Sequence, residues 1–381
     1  MSLPHSFVIP LAAIGIIAIA AGFLVYAPSA KERLSDSTQT AAVIGTETPP
    51  SSAASSTPLL PATTTVKNQT KTISRPSTKT KEGASIRRIE NPYATPPESF
   101  LTVNEWTLGA LVNILCTPRS GTLRPISGSG VLIDPHGVIL TSAHVAQYVL
   151  LSQSPQINLS CVVRAGSPAR DAWSAEVLFM PPVWVEEHAA DLTADAPTGT
   201  GEHDYALLRI VSALDGNPLP TGTPALKADT REGVAFLKDA ILVAGYPAEF
   251  IGSDAAQNQL YPATSLSTVK DLLTFRTNSV DLISVGGVVA AQSGSSGGAV
   301  VNAWGRLVGL ITTTSEGATT ADRDLRALTI SYIDRDIRAQ SGSDLSSILN
   351  GDLAAEAAAF RNVAAPRLTQ MLIDQLSNPN H

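Results

Sequence analysis

One short stretch of the chain combines the residue types of a covalent catalyst. The string QSGSSGGAV, residues 292–300, sets serines among glycines. Such strings usually form loops or linkers, and a serine hydroxyl is a weak nucleophile unless a neighbouring base takes its proton. The apolar sequence AVV follows the glycines directly, which is typical of a turn that leads into a strand. We therefore predict a nucleophile turn in which Ser296 carries the reactive hydroxyl.

A base and an acid for this serine stand beside two apolar runs. His144 directly follows the apolar run GVILTSA, and Asp204 opens the run YALLRI. A carboxylate at the mouth of a strand is partly buried and needs a partner, because an unpaired buried charge is costly. Asp191 and Asp195 in the preceding insertion are rival acids. Taken alone, each of these residues is more often structural, but together His144, Asp204 and Ser296 can form a base, orienting acid and nucleophile.

The glycines of the same stretch predict a site for a negatively charged oxygen. Glycine adopts backbone conformations that are closed to other residues, so a sharp turn here can direct the amides of Gly294 and Ser296 at one point. Such donors stabilise the oxyanion of a tetrahedral intermediate, and losing one costs roughly 3–4 kcal/mol.

Three blocks of sequence resemble, in order, those of trypsin-like serine peptidases, and most closely those of the bacterial HtrA-like branch. They are SGSGVLIDPHGVILTSAHV, HDYALLRI and SGSSGGAVVNAWGRLVGL. The resemblance covers about residues 105–335 and implies two packed six-stranded antiparallel β-barrels with the site in the cleft between them. It assigns the general base to His144, the orienting acid to Asp204 and the nucleophile to Ser296, with oxyanion amides from Gly294 and Ser296. It implies neither a cofactor nor a metal ion.

The chain departs from its relatives at two points. Ser295 precedes the nucleophile, where digestive-type relatives have an aspartate that pairs with a freed N-terminus, so that activation route is not expected here. HtrA-like proteins usually carry a C-terminal PDZ domain, and the sequence after the third block has no room for one.

The resemblance also predicts the substrate pocket. Its base is expected at Ala290, six residues before the nucleophile, and its wall on the strand GLITTT, which includes Thr312. An uncharged pocket favours cleavage after small or medium aliphatic residues, since a buried unpaired cation is unfavourable. Nearby carboxylates, those of Glu316, Asp322 and Asp324, are the main alternative, because one of them inside the pocket would favour Arg or Lys.

The predicted fold is all-β. From about residue 100, short apolar runs rich in Val, Ile, Leu and Thr alternate with Gly, Pro and Asp turns, which is typical of a barrel or sandwich. We assign residues 100–340 to the peptidase domain. Residues 341–381 are Ala- and Leu-rich with helical periodicity and predict a helical tail, broken near Pro366.

The composition of the N-terminal 99 residues differs from that of the predicted peptidase domain. Residues 7–27 carry no charge, and at about 1.5 Å per residue such a helix can span a bilayer core of about 30 Å. We predict a transmembrane anchor within residues 1–30, with a cleaved signal peptide as the alternative. Residues 31–99, rich in Ser, Thr, Pro and Ala, predict a disordered stalk. The expected activity, rather than the flanking charges, places the peptidase domain outside the cytoplasm, in a bacterial periplasm or at the cell surface.

Composition and charge indicate which classes of partner to expect. The net charge is −7 and only 15% of residues are charged, with no basic stripe, so nucleic acid is not an expected partner. The expected partners are protein or peptide substrates and the membrane. The sequence contains no signal for an oligomeric state.

The sequence does not decide whether the two cysteines form a disulfide or remain free thiols. Cys116 and Cys161 lie in runs that both belong to the first predicted barrel, so a disulfide is geometrically feasible, and an oxidising compartment would favour it. Two buried free thiols are the alternative.

Two other functions compete with an endopeptidase. A catalytically silent trypsin-like scaffold would bind peptides without cleaving them, and the intact set of base, acid and serine argues against it. An esterase could use the same residues, but the order of the blocks suits a peptidase better.

Overall fold

The computed structural model describes residues 86–120, 123–194, 199–219, 222–276, 278–314 and 319–377. The predicted anchor and most of the predicted stalk lie outside these ranges. Among the described residues, no helix has the length and apolar character needed to cross a membrane.

Six strands form a closed antiparallel barrel. Around the barrel their order is β1, β2, β3, β6, β5, β4. The strands are β1 (Leu111–Pro118), β2 (Ile126–Asp134), β3 (Val138–Thr141), β4 (Leu159–Ala165), β5 (Arg170–Phe179) and β6 (Ala206–Ala213). This barrel agrees with the sequence prediction.

The second half of the domain contains a curled sheet of seven strands, one more than predicted, and with the closed barrel it fits the predicted two-barrel fold. Its strand order is β8, β7, β11, β12, β13, β10, β9. The strands are β7 (Ala240–Gly245), β8 (Ala263–Thr268), β9 (Asp271–Leu273), β10 (Leu282–Gly286), β11 (Ala299–Asn302), β12 (Leu307–Thr314) and β13 (Leu325–Thr329). The unpredicted strand is β8, an edge strand of sequence ATSLST. It has no apolar run because none of its residues is fully buried.

Helices are more numerous than an all-β prediction implies. Those in the described residues are α1 (Phe100–Ala110), α2 (Ala143–Ser152), α3 (Pro182–His188), α4 (Ser253–Asn258), α5 (Ile330–Ser341), α6 (Leu345–Asn350), α7 (Leu353–Val363) and α8 (Ala365–Ser377). The predicted helical tail thus contains α6, α7 and α8. The chain breaks between α7 and α8 just before Pro366, which lies in the first turn of α8, where proline is tolerated.

The tail packs against the first barrel. Helix α7 contacts β5, and α8 contacts both α2 and α3. Leu368 and Leu372 of α8 have no exposed surface and belong to the same apolar core as the strands of the barrel. The tail is therefore part of the folded domain.

Residues 86–99, which the sequence assigns to the stalk, contact the second sheet. The Ile89 amide donates to the Gly233 carbonyl at 3.0 Å, and the Trp304 indole N–H donates to the Thr95 carbonyl at 2.9 Å. Residues 86–99 therefore pack on the domain whose predicted boundary lies at residue 100.

Candidate active site

Adjacent strands bring His144 and Asp204 together. Strand β3 pairs with β6, with Thr141 opposite Ala206, so the chain leaving β3 meets the chain entering β6. Helix α2 begins at once after β3, and His144 lies in its first turn. Asp204 stands two residues before β6. The pairing of β3 with β6 thus explains why His144, which follows β3, lies beside Asp204, which precedes β6.

The two side chains form a direct pair. The Nδ1 atom of His144 lies 2.9 Å from Oδ2 and 3.1 Å from Oδ1 of Asp204, and the His144 amide donates to Oδ1 at 3.0 Å. A carboxylate can only accept, so Nδ1 carries the proton and Nε2 of the neutral ring is left as an acceptor. The Asp204 side chain is 6% exposed, whereas that of His144 is 38% exposed. One face of the base is therefore open to a substrate.

Opposing effects set the two pKa values. Burial lowers the pKa of His144, but the charge of Asp204 and its hydrogen bond outweigh burial, so this pKa lies above its ordinary value. Burial raises the pKa of Asp204, but the charge of His144 and the hydrogen bonds from His144 and Thr312 outweigh it, so this pKa lies below its ordinary value. The pair thus keeps an ionised acid beside a base with enhanced proton affinity.

Thr312, which the sequence analysis predicts to line the substrate pocket, contacts the acid. Its side chain is buried, and its hydroxyl donates to Oδ2 of Asp204. This bond supplies a third donor to the carboxylate, so the Thr312 side chain supports the acid. The sequence placed it on the correct strand, β12, but the direction of a side chain on a strand depends on register, which the sequence left open.

Two consecutive turns present Ser296. The amide of Ser295 donates to the carbonyl of Gln292, and the amide of Gly298 donates to that of Ser295. In each four-residue turn the third residue is a glycine with positive φ, Gly294 at +95° and Gly297 at +85°. A type II turn requires such a residue at its third position. Ser296 occupies the corner of the second turn and is half-buried.

The turns leave two amides without an intramolecular acceptor. Within the part of the chain that the structure describes, neither the Gly294 amide nor the Ser296 amide donates a hydrogen bond. These are the two donors that the sequence analysis assigns to the oxyanion. Donors that are already fixed and unpaired are suited to a charge that develops only during a reaction.

Ser129 of β2 ties the nucleophile turn to the first barrel. Its amide donates to the Ser296 carbonyl at 2.8 Å, and its hydroxyl donates to the Gly294 carbonyl at 2.7 Å. The same hydroxyl accepts from the Tyr246 amide at 2.8 Å, just after β7. Sequence reasoning missed this buried serine. The available signal was the string SGSG, polar and small inside an otherwise apolar strand.

A second link joins the turn to the segment that carries the base. The carbonyl of Ile311 accepts from the Gly297 amide at 2.8 Å and from the Ser142 hydroxyl at 3.2 Å. The residue after the candidate nucleophile is therefore held beside the residue two positions before His144. No hydrogen bond joins the Ser296 hydroxyl to the His144 ring among the described residues. Such contacts are often long in free enzymes and tighten when substrate binds.

The rival acids do not approach His144. Asp191 pairs with His188 at 2.8 Å in a 3₁₀ turn, and Asp195 lies outside the described residues. Ala290, the predicted pocket base, is fully buried in the apolar core of the second sheet.

The predicted alternatives for a pocket charge have other partners. Asp322 accepts from the amide and hydroxyl of Thr319. Asp324 accepts from the Ser284 hydroxyl and pairs with Arg326 at 3.0 Å. Glu316 lies outside the described residues.

The cysteines are joined. Cys116 on β1 and Cys161 on β4 are direct partners in the strand register, and they form a disulfide. The disulfide closes two neighbouring strands of the first barrel, on the far side of the barrel order from the β3–β6 pair that carries the acid and the base.

Comparison with known proteins gives a match to the central part of the chain. No curated protein matches the sequence significantly. The family model described as trypsin-like peptidase domain matches residues 128–310, a range that includes His144, Asp204 and Ser296. The match, the closed six-stranded barrel and the second curled sheet together support a trypsin-like serine peptidase.

Proposed function

We propose that this protein is a serine endopeptidase that uses His144, Asp204 and Ser296. The observation that carries the proposal is the buried Asp204 hydrogen-bonded to Nδ1 of His144, on the segment held beside the Ser296 turn. Ser296 Oγ attacks the scissile carbonyl carbon while His144 Nε2 takes its proton. The amides of Gly294 and Ser296 stabilise the resulting oxyanion.

The remaining steps return the enzyme to its starting state. Protonated His144 gives its proton to the leaving amine as the carbon–nitrogen bond breaks, which leaves an acyl group on Ser296. Water then attacks this ester while His144 takes its proton, and His144 returns the proton to Ser296 Oγ as the ester bond breaks and the acid product leaves. Asp204 holds the ring in one tautomer and stabilises its protonated form throughout.

The first test is Ser296→Ala. We expect turnover of peptides to fall by about 10⁴-fold or more and labelling by a fluorophosphonate to disappear, because the atom that forms the covalent bond is removed. Ser346→Ala, an exposed serine on α6, is the matched control and should label as the wild type does. Labelling of the Ser296→Ala variant would refute the nucleophile assignment, and a wild type that neither labels nor cleaves would favour the silent scaffold.

We further propose that cleavage follows small or medium aliphatic residues. Ala290 brings no charge to the predicted pocket base, and Asp322 and Asp324 are engaged elsewhere. A peptide library should therefore be cut after Val, Ala, Leu or Ile, with modest discrimination among them, since one methylene changes selectivity by about 1–3 kcal/mol. A library cut mainly after Arg or Lys would overturn this proposal.

Two finer proposals rest on sequence. The blocks around His144, Asp204 and Ser296 favour the HtrA-like branch. The uncharged apolar run at residues 7–27 favours a membrane anchor with the peptidase domain outside the cytoplasm, acting on protein or peptide substrates.

A further inference from the structure

An ion pair that does not involve His144, Asp204 or Ser296 lies beside the nucleophile turn. Arg323, between a 3₁₀ turn and β13, donates from Nη1 to Oε2 of Glu249 at 2.6 Å and from Nη2 to Oε1 at 2.7 Å. Glu249 lies in the loop after β7. The two-point geometry is the strong form of an arginine–carboxylate contact, and the side chains are only 15% and 25% exposed.

Both members also bind the backbone of the nucleophile segment, Glu249 within the first turn and Arg323 at the residue just before it. The Ser293 amide donates to Oε2 of Glu249 at 3.2 Å, and Nη1 of Arg323 donates to the Ala291 carbonyl at 2.8 Å. The Ala248 amide, next to Glu249, donates to the Ser293 carbonyl at 2.8 Å. Ala291 and Ser293, two of the three residues before Gly294, are thus held by contacts from two separate loops.

One peptide unit in this segment decides whether an oxyanion donor points into the site. The unit between Ser293 and Gly294 carries the Ser293 carbonyl on one side and the Gly294 N–H on the other. Type I and type II turns differ mainly by a flip of this central unit, and a glycine at the third position lowers the cost of either orientation. The orientation of the Gly294 donor therefore depends on contacts made by its neighbours.

The residue directly before the nucleophile makes no such contact. Ser295 has no exposed surface, and its hydroxyl has no hydrogen-bond partner among the described residues. It lies against Gly245 of β7. Ser295 carries no charge and so cannot itself form an ion pair, whereas the Glu249–Arg323 pair brings a charged group to Ser293.

We propose that Glu249 and Arg323 are positioning residues that hold the Ser293–Gly294 peptide with its N–H directed at the oxyanion. The expected effect on catalysis rests on the proposed peptidase function. The expected effect on the conformation of the turn does not depend on that function. The hydrogen bond from Arg323 lowers the pKa of Glu249, so the carboxylate stays ionised in its pairing with Arg323 at neutral pH.

The test uses three variants of the full chain. Glu249→Gln removes the charge, and Arg323→Lys removes the two-point contact. The double variant Glu249→Arg/Arg323→Glu restores an ion pair between the loops but reverses the groups, so the new side chains can neither accept from Ser293 nor donate to Ala291. Glu186→Gln, which breaks the surface pair with Arg367, is the matched control.

Two measurements distinguish positioning from general stability. For the three variants we expect kcat on a peptide substrate to fall about 10- to 100-fold, less than or equal to the loss of one oxyanion donor, with KM changed less than about 3-fold. Hydrogen exchange of the amides in residues 289–298 should become at least about 10-fold faster. Glu186→Gln should change neither quantity.

The outcomes separate this inference from the proposed function. Wild-type kcat and exchange in Glu249→Gln, or full recovery of both by the reversed pair, would overturn the inference, since the pair would then only link two loops. A wild type without peptidase activity would refute the proposed function, while the exchange measurement would still decide whether the pair holds the turn.

Discussion

At the scale of single residues, the candidate site depends on how Asp204 is buried without losing its charge. Its carboxylate accepts from the ring and the amide of His144 and from the Thr312 hydroxyl. Several donors to one carboxylate favour its ionised form, which offsets the cost of burial. The ionised acid in turn raises the pKa of His144 above the value that burial alone would give.

This shift predicts the acid limb of activity. His144 must be neutral to accept a proton, so kcat/KM should fall as pH decreases through the raised pKa of His144. From sequence alone we expect the fall below about pH 6.5; the contact with Asp204 moves it to higher pH. The measurement is a pH profile of kcat/KM, which reports the free enzyme.

Two variants check the assignment of that limb. Asp204→Asn should lower kcat by about 10⁴-fold, because the wrong tautomer of the ring is then favoured. His136→Gln, which breaks an exposed His136–Asp134 pair, should leave the profile unchanged. An acid limb at or below pH 6.5 in the wild type, or one that moves in His136→Gln, would contradict the prediction.

At the scale of elements, the nucleophile turn is shaped by how closely it approaches β2. A Cβ atom on Gly297 would lie 2.1 Å from the Ser129 carbonyl oxygen and 2.5 Å from the Thr141 hydroxyl. The residue therefore needs both a positive φ and the absence of a side chain. This close approach is what places the Ser296 carbonyl within hydrogen-bond distance of β2.

Comparing Gly297→Ala with Gly342→Ala separates the cost of a positive φ from the cost of the steric conflict. Gly342 ends α5 at φ +78° with nothing within 4 Å of a built Cβ, so its substitution should cost only the backbone preference, about 1–2 kcal/mol. Gly297→Ala adds the steric conflict, and we expect its loss to be larger by at least about 2 kcal/mol. Denaturant unfolding measures both free energies. Equal losses would mean that the turn relaxes without cost.

At the scale of the described domain, segments outside the two β-structures contribute to the fold. Residues 86–99 bind the second sheet, while α7 and α8 cover part of the first barrel. The tail contributes fully buried side chains to the barrel core, and burying one leucine is worth about 1.5–3 kcal/mol. Its removal would take away a large share of a net stability of about 5–15 kcal/mol.

Leu372→Ala tests whether the tail folds together with the barrel. Leu372 has no exposed surface, and we expect a loss of about 2–5 kcal/mol in the free energy of unfolding. Gln370→Ala, an exposed position on the same helix, should change it by less than about 0.5 kcal/mol. If both variants unfold at the same denaturant concentration as the wild type, α8 does not belong to the cooperative unit.

Local features of the sequence predicted a good part of this architecture. Short apolar runs identify most strands because Val, Ile and Leu at buried positions mark them whatever they pair with. The exception is β8, a polar edge strand that lacks this signal. Helical periodicity likewise predicts the tail, and the order of His144, Asp204 and Ser296 with the glycines around Ser296 names the candidates for chemistry.

The sequence by itself therefore determined which residue types stand beside which strands, since that information is local. The tertiary structure alone decided how they are supported. The Thr312 hydroxyl binds Asp204, Ser129 ties the turn to the first barrel, and Glu249 pairs with Arg323 beside the turn. Each of these contacts joins residues far apart in the chain, and its existence depends on strand register and loop path, which no short stretch of sequence encodes.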